Sequence, residues 1–176
     1  AKALTTRHDL AEGIGAAIAD VLAQSGAAPE QIGLASLSTT LATNALVEGQ
    51  GARAGLVYIG FGDGDLAAHG LNEALSGDPA LVLAGGHSHA GVEAAPLDES
   101  ALCAWLETVS GASAFAVASQ FATRNPAHEL RAAEIIRQVT GRPVSCSHHL
   151  SARLNGPKRA LTALLNARLI GMIARL

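Results

Sequence analysis

The sequence contains few aromatic residues and few cysteines. Aromatic side chains make up 3% of the 176 residues, so leucine, isoleucine, valine and alanine have to supply most of a core. The two cysteines, Cys103 and Cys146, form no CxxC motif and follow no disulfide pattern. Each is therefore interpreted as a small core residue in a reducing compartment, not as a nucleophile.

Charge of either sign and long apolar runs are also scarce. The formal net charge is −3 and the basic residues are scattered, so the basic stripe that nucleic acids require is absent from the sequence. No apolar run reaches the roughly 18 residues of a membrane-spanning helix, and no signal-peptide pattern opens the chain. We therefore expect a cytoplasmic protein with neither a nucleic-acid nor a membrane partner.

Helical and strand patterns alternate along the chain. Strands are predicted around residues 32–37, 54–59, 80–86, 114–121 and 143–147. Helices are predicted after Asp9, Asp98 and Asn125 and from Pro157 onward, with a further helix or helical turn over 41–48. Strands separated by helices form βαβ units, so the fold class is α/β, with a largely parallel or mixed sheet and helices covering it.

The first and last residues both fall within predicted elements. The opening "AKALTT" has the pattern of a strand tail, and "LLNARLIGMIARL" stops inside a helical pattern without a cap. At 49% hydrophobic residues the chain can bury a proper core. We expect residues 1–176 to form a single α/β domain that is a fragment of a longer polypeptide.

The turn after the strand at 32–37 is the strongest candidate site. Ser38, Thr39, Thr40, Thr43 and Asn44 fall within seven residues between two apolar segments. Ligands of open α/β sheets bind beyond the carboxyl ends of strands, where hydroxyl and N–H groups hold an anionic or amide-bearing molecule. In the alternative interpretation, Thr40 or Thr43 only caps the next helix and Asn44 braces the turn.

Two further polar clusters open predicted helices. In "TRNPAHE", Asn125 is accounted for by capping and Glu129 by the helix N-terminus, whereas Arg124 either binds a carboxylate or pairs with Glu129. Lys158 and Arg159 lie in the first turn of the last helix, where cations oppose the helix dipole. A carboxylate, a bound anion or another domain offsets that cost, unless the two side chains are simply solvated.

The histidines raise a metal-site alternative. His87 and His89 form an HxH motif, and "SCSHHLS" contains Cys146, His148 and His149. Such residues build tetrahedral metal sites, but neither spacing matches an established zinc motif and the two groups are far apart in sequence. We predict histidines in surface loops and no metal. No phosphate-binding GxxxxGK[ST] loop or GxSxG motif is present, so the motifs alone name no reaction.

Three blocks resemble the hydantoinase/5-oxoprolinase family. They are "STTLATNALVEGQGARAGLVYIGF", "FATRNPAHELRAAEIIRQVTGRPVSCSHHLS" and "PKRALTALLNARL", and they occur in the family's order. The resemblance implies a ribonuclease-H-like (actin/sugar-kinase type) partial domain in the N-terminal half of a longer protein. It also implies a hydrolase that uses ATP and Mg²⁺ to open a cyclic amide, of the hydantoin or 5-oxoproline type, through a phosphorylated intermediate.

The resemblance also implies roles for individual residues. Those expected to be catalytic are Thr39, Thr40 and Asn44. Those expected to bind substrate are Thr43, Arg124, Asn125, His128, Arg159, Thr162 and Asn166. The family's Asp-Gly-Gly-Thr phosphate loop and its second nucleotide-binding domain are missing from this sequence, and residues 62–90 differ from the usual family continuation.

Because ATP in this fold sits between two domains, we expect the isolated fragment to be inactive and to hold no cofactor. Its expected partners are the rest of its own chain and a second hydantoinase subunit. Two alternatives stay open. The chain could be a non-catalytic α/β interaction domain of a multi-subunit assembly, or part of an ATP-dependent carboxylase-like relative.

Overall fold

The computed structural model describes residues 1–4, 6, 10–34, 51–62 and 64–173. The chain divides into two compact units, an N-terminal unit within residues 1–42 and a sheet unit within residues 43–175. In the described part of the chain, no helix combines the length and the apolar character needed to cross a membrane.

The described residues of the N-terminal unit form one long helix, α1 (Leu10–Ser25), and a 3-10 turn at Pro29–Gln31. Helix α1 ends before Gly26, as its sequence predicts, because Gly26 adopts a left-handed φ of 63°. The spacing of Ile18 and Val21 predicts that both lie on a buried apolar face of α1. This prediction is wrong for these two residues, since they are 49% and 47% exposed. Residues 32–34 form no strand, and the remainder of the strand predicted there lies outside the described residues.

The sheet unit is built on four strands. They are β1 (Ala54–Ile59), β2 (Ala80–Leu83), β3 (Ala114–Ser119) and β4 (Val144–Cys146). The strands are all parallel and lie in the order β2-β1-β3-β4. Within the described ranges, antiparallel pairing is limited to an isolated bridge between His87 and Glu93. The predicted α/β class is confirmed.

Within the described residues of the sheet unit, six helices connect or follow the strands. They are α2 (Asp65–Ala68), α3 (Leu71–Leu75), α4 (Glu99–Thr108), α5 (Ala127–Thr140), α6 (Ser147–Leu150) and α7 (Gly156–Ile173). Helices α4 and α5 cover one face of the sheet, and α3 and α7 cover the other. Asp98 caps α4 as predicted, since its Oδ1 accepts a hydrogen bond from the Ala101 amide at 2.9 Å.

The central strands are buried on both faces, which explains their nearly continuous apolar sequence. Leu56 and Tyr58 of β1 point to the α7 side, whereas Val57 and Ile59 point to the α4 and α5 side. This alternation follows the two-residue period of a strand. The apolar side chains of Leu56, Val57 and Ile59 each contribute about 1.5–3 kcal/mol by leaving water.

The buried face of α7 differs from the predicted one. The sequence predicts an inward stripe of Leu161, Leu164, Leu165, Leu169, Met172 and Ile173. Leu164 is fully buried and Leu161 packs partly buried on the core, as predicted, but the other fully buried residues are Ala160, Ala163 and Ala167. The side chains of residues 172 and 173 lie outside the described ones. The facing row of β3 consists of alanines, so α7 contacts it through small side chains. On α5, the helical spacing of apolar residues predicts that Val139 faces inward, but Val139 is 50% exposed.

Candidate functional site

The carboxyl ends of all four strands meet at one edge of the sheet, which we call the carboxyl edge. Strand β1 leads into Gly60, β2 into the loop 85–94, β3 into Gln120 and β4 into Ser147. Because the strands are parallel, these segments lie side by side. Ligands of open α/β sheets bind outside this edge, so it is the candidate site.

Glu129 is the most enclosed charged group at the carboxyl edge. It lies in the first turn of α5 with 0% exposed surface. Its Oε1 atom accepts hydrogen bonds from the Ser119 amide at 2.8 Å and the Ser147 hydroxyl at 2.5 Å. Its Oε2 atom accepts from the His148 amide at 3.0 Å and lies 2.6 Å from His148 Nδ1. These bonds replace the water that the carboxylate has lost, and they tie α5 to the ends of β3 and β4.

Arg159 is buried in the same network, with 1% of its surface exposed. Its guanidinium donates to Ser147 Oγ at 3.2 Å, to the Arg153 carbonyl at 2.8 Å and to the Ser119 carbonyl at 2.8 Å. Burial lowers the pKa of Arg159, and the nearby charge of Glu129 acts against that shift. The sequence left open whether a carboxylate, a bound anion or another domain offsets the cost of this cation in the first helical turn. In the structure, the offsetting group is the carboxylate of Glu129. It acts through Ser147, which bridges the two charges.

The histidine after β4 completes the network, which we call the Glu129 network. The side chain of His148 is 13% exposed, and its ring contacts that of His149 in a tilted arrangement, with centroids 4.0 Å apart and an interplanar angle of 53°. The neighbouring Cys146 is buried, which raises the pKa of its thiol to about 11, and its Sγ donates to the Glu129 carbonyl at 3.8 Å. Cys146 is thus a core residue, as the sequence predicts.

A second cluster of histidines lies at the end of β2. His87 and His128 are buried, with ring centroids 4.4 Å apart. The Gly86 amide donates to Nδ1 of His128 at 2.8 Å, and Nε2 of the same ring lies 2.8 Å from Glu93 Oε1. His87 Nδ1 is buried without a hydrogen-bond partner. Burial, reinforced by His128, lowers the pKa of His87. His87 is therefore a buried imidazole favoured in its neutral form.

The loops after β1 and β2 approach each other through glycines. Gly60 has a φ of 79°, and a Cβ there would lie 2.7 Å from the Gly85 carbonyl oxygen. Gly86 has a φ of 84°, and a Cβ there would lie 3.1 Å from Gly60 Cα. Only glycine combines this backbone conformation with this closeness. The glycines serve the packing of one loop on another.

The four residues predicted in the Thr-rich turn, Thr39, Thr40, Thr43 and Asn44, lie outside the described residues. The predicted helix over 41–48 also lies outside them. The catalytic and substrate-binding roles given to these residues therefore stay predictions.

The residues predicted at the start of α5 have separate environments. Arg124 is exposed and forms no ion pair with the described residues, so its predicted pairing with Glu129 is wrong. The Asn125 side chain donates to the Gly91 carbonyl at 3.1 Å and accepts from the Ala127 amide at 3.1 Å. The predicted cap is therefore displaced by one residue, because Pro126 is the N-cap and α5 begins at Ala127. Asn125 still accepts from the first amide of the helix, and it also fixes the tip of the loop 85–94.

The substrate-binding residues predicted on α7 also have different environments from one another. The Thr162 side chain is exposed and donates to the Lys158 carbonyl at 2.9 Å. Asn166 donates to Ser145 Oγ at 2.9 Å, which joins α7 to β4. Lys158 itself is exposed. Of the predicted residues that the structure describes, only Arg159 joins the Glu129 network and only His128 joins the cluster around His87.

The metal site considered from the sequence does not form as a single group. Among the described residues, one set of three ligand atoms lies within 4.8 Å of one another, from Glu129, Cys146 and His148. The thiol has a raised pKa and both carboxylate oxygens already accept hydrogen bonds, so this set fits a hydrogen-bond network better than a metal. His87 belongs to the other histidine cluster.

Sequence reasoning assigned no site role to Ser147, accounted for Glu129 by the helix N-terminus, and raised His87 and His148 only in the metal-site alternative. A usable signal existed for Ser147 and His148, because polar residues directly after a short apolar strand reach the carboxyl edge. Glu129 gave no such signal, since an acid in the first turn of a helix is accounted for by the helix dipole. Its burial depends on residues 18 and 19 positions away.

Comparison with known proteins reveals a family and a curated relative. Residues 1–140 match the model described as "Hydantoinase/oxoprolinase N-terminal region". The chain is 32% identical, over 202 aligned positions, to the acetophenone carboxylase gamma subunit of Aromatoleum aromaticum (strain DSM 19018 / LMG 30748 / EbN1). That alignment covers 96% of this chain and 28% of that subunit, so this chain spans less than a third of its relative.

Two solved structures have a similar fold. The ATP-dependent caprolactamase from Pseudomonas jessenii is 26% identical with a TM-score of 0.72, and the match covers 99% of this chain and 28% of that one. The nucleotide-free structure of acetone carboxylase, 19% identical with a TM-score of 0.67, matches 96% of this chain and 28% of that one. At that identity, the second similarity establishes the fold alone.

Proposed function

This chain belongs to the hydantoinase/oxoprolinase family, and on that premise we propose that it is the N-terminal part of an ATP-dependent enzyme that opens a small cyclic amide. The observation that carries the proposal is the fold shared with ATP-dependent caprolactamase over 99% of this chain at 26% identity. The polar groups at the carboxyl edge, where such a fold binds ligands, support it. Residues 1–176 are proposed to be a fragment of the N-terminal half.

The chemical reason for coupling to ATP lies in the amide. An amide carbonyl is a poor electrophile because nitrogen donates electron density into it, so ring opening by water is slow. Transfer of a phosphoryl group to the carbonyl oxygen withdraws electron density from the carbonyl carbon, so water attacks it more readily, and it turns that oxygen into part of a good leaving group, phosphate. Positioning and electrostatic stabilisation are the protein's main contributions to phosphoryl transfer.

The described residues do not themselves form a site for ATP or Mg²⁺. The glycines at the ends of β1 and β2 pack against one another, and the Gly86 amide already donates to His128. Both oxygens of Glu129 are engaged by protein donors, which leaves neither of them free for Mg²⁺. We propose that ATP and Mg²⁺ are bound by the Thr-rich turn and by the rest of the complete protein.

The proposed site residues are those of the Thr-rich turn. Thr39, Thr40 and Asn44 are proposed to be catalytic and Thr43 to bind substrate, because hydroxyl and amide groups suit a phosphoryl or amide ligand. The fragment alone is proposed to be inactive. The proposed location is the cytoplasm, and the proposed partner is a second subunit, since the curated relative is itself a subunit.

A second candidate function is the ATP-dependent carboxylation of a ketone. It is favoured by the 32% identity to an acetophenone carboxylase subunit. Both candidates act on the carbonyl group of a small molecule. They differ in the co-substrate, because ring opening consumes water and carboxylation consumes bicarbonate or carbon dioxide.

The test is substrate-stimulated phosphate release by the complete parent protein with its partner subunit. Caprolactam, hydantoin and 5-oxoproline form one set of substrates, and acetophenone with bicarbonate forms the other. We expect stimulation by a cyclic amide, with a ring-opened amino acid or carbamoyl amino acid as product. Thr40→Ala should abolish the stimulation, whereas the control Thr108→Ala, at an exposed helix end, should not. Stimulation only by acetophenone would favour carboxylation, and stimulation by none would contradict the proposal.

A further inference from the structure

We propose that His148 is a general acid–base catalyst for the ring opening and that Glu129 is its positioning residue. The class of substrate in this inference, a small cyclic amide, rests on the proposed function. The choice of His148 and Glu129 rests on the geometry of the structure. A buried carboxylate holds one nitrogen of an imidazole at 2.6 Å, and the side chain carrying that imidazole keeps 13% of its surface exposed.

The hydrogen bonds determine which nitrogen of His148 carries the proton. Two amides and one hydroxyl already donate to the carboxylate oxygens of Glu129, so this side chain is an acceptor. His148 Nδ1 must therefore donate its proton to Oε2. In the neutral ring, the lone pair is then on Nε2, which has no hydrogen-bond partner among the described residues. This is the arrangement of a base oriented by a carboxylate.

Packing alone does not account for the position of the ring. The carboxylate of Glu129 would keep three donors without it, from Ser119, Ser147 and the His148 main chain. The fourth bond, to the imidazole, adds little to the satisfaction of Glu129 but fixes the orientation of the ring. The buried guanidinium of Arg159 holds Ser147 from the other side, so the orienting carboxylate is itself fixed.

The position of His148 in the fold matches this role. It follows β4 at the carboxyl edge, where a ligand of this fold class binds. The ring of His149 contacts that of His148 at a tilt of 53°, and His149 itself is exposed. The exposed neighbour provides a natural control, because the two histidines differ in their contact with Glu129.

The proposed step can be written with every atom accounted for. Nε2 of His148 takes a proton from a water molecule as the water oxygen bonds to the carbon that carries the phosphorylated oxygen, and the electron pair of the C–N double bond of the phosphorylated amide moves to the nitrogen. The imidazolium that forms is stabilised by the carboxylate of Glu129. When the C–N single bond of the ring breaks, Nε2 returns the proton to the departing nitrogen, and the new hydroxyl group loses its proton to solvent as it becomes the C=O group of an acyl phosphate. A second water molecule then attacks the acyl carbon, and phosphate leaves with the original carbonyl oxygen.

The experiment uses the complete parent protein with its partner subunit. His148→Gln should lower kcat for the stimulating cyclic amide by about 10²–10⁴-fold with little change in KM, whereas His149→Gln should stay near wild type. Added imidazole should restore part of the activity of His148→Ala, which a structural role would not allow. Melting temperatures identify variants that fail to fold. Activity of a folded His148→Gln within about threefold of wild type would overturn the proposal.

A second measurement needs no substrate. Diethyl pyrocarbonate modifies unprotonated imidazole nitrogens, and mass spectrometry locates the modified residues. We expect labelling at both His148 and His149 in wild type, with slower labelling of His148 alone in Glu129→Gln. If no compound stimulates the wild type, the proposed function fails, and labelling alone decides whether His148 presents a free basic nitrogen. An unreactive His148 beside a labelled His149 would overturn the proposal.

Discussion

His148 Nδ1 lies 2.6 Å from Oε2 of Glu129, a carboxylate with 0% exposed surface. This contact joins the end of β4 to the first turn of α5. It belongs to a network in which every partner of Glu129 comes from the end of a neighbouring strand. Polar bonding at the carboxyl edge therefore holds together the elements that the apolar core aligns.

The first prediction concerns the stability that this network provides. Glu129→Gln replaces an acceptor oxygen by an NH₂ group that faces donors, so buried groups lose their partners. We expect a loss of about 3 kcal/mol in the free energy of unfolding, measured by urea denaturation of the complete protein. The control Glu134→Gln removes an exposed ion pair on the same helix. It should cost less than about 1 kcal/mol. Equal losses in the two variants would contradict the network's role.

The second prediction concerns pH and His87. Burial and His128 lower the pKa of His87 in the folded state, while Glu93 acts in the opposite direction. The unfolded chain therefore binds this proton more readily, so the stability is present above about pH 6.5 and falls as pH drops through the folded pKa. We expect the melting temperature to fall below about pH 6.5, and His87→Leu to flatten that dependence.

The matched control for this pH experiment is His89→Leu. His89 lies two residues away in the same loop and is exposed. Its replacement should leave the pH dependence as in wild type. If His89→Leu flattened the pH dependence of the melting temperature as much as His87→Leu does, the buried position of His87 would have no special effect.

The third prediction concerns the close approach of the loops after β1 and β2. Gly60→Ala would place a Cβ 2.7 Å from the Gly85 carbonyl oxygen, on a residue with a φ of 79°. We expect a loss of about 1–3 kcal/mol or more in unfolding free energy. The control Gly64→Ala has nothing within 4 Å of the added Cβ and an ordinary helical backbone. It should melt within a few degrees of wild type.

The sequence was sufficient to predict the alternation of strands and helices in the sheet unit. The buried strands 54–59 and 114–119 are continuous apolar runs, and Asp98 and Gly141 mark helix ends through local chemistry. The buried face of α7 was not predictable in this way. Its alanines are buried because the facing row of β3 is also alanine, and that contact is set by the tertiary fold.

The candidate site was harder to predict for the same reason. Arg159 and His128 were identified through the family resemblance, but their partners come from distant segments. The carboxylate of Glu129 reaches Ser119, Ser147 and His148 only after the strands have aligned. The spacing of residues in the sequence does not show that these side chains will contact one another.

The central claim is that the complete protein opens a cyclic amide after phosphorylation of its carbonyl oxygen. The most direct measurement uses caprolactam or hydantoin labelled with ¹⁸O at the carbonyl, whichever stimulates phosphate release, and follows the label by mass spectrometry. If water attacks a phosphorylated carbonyl, the labelled oxygen leaves with the phosphate. We predict one ¹⁸O atom in the phosphate released per turnover. Label that stays entirely in the ring-opened product would contradict the account.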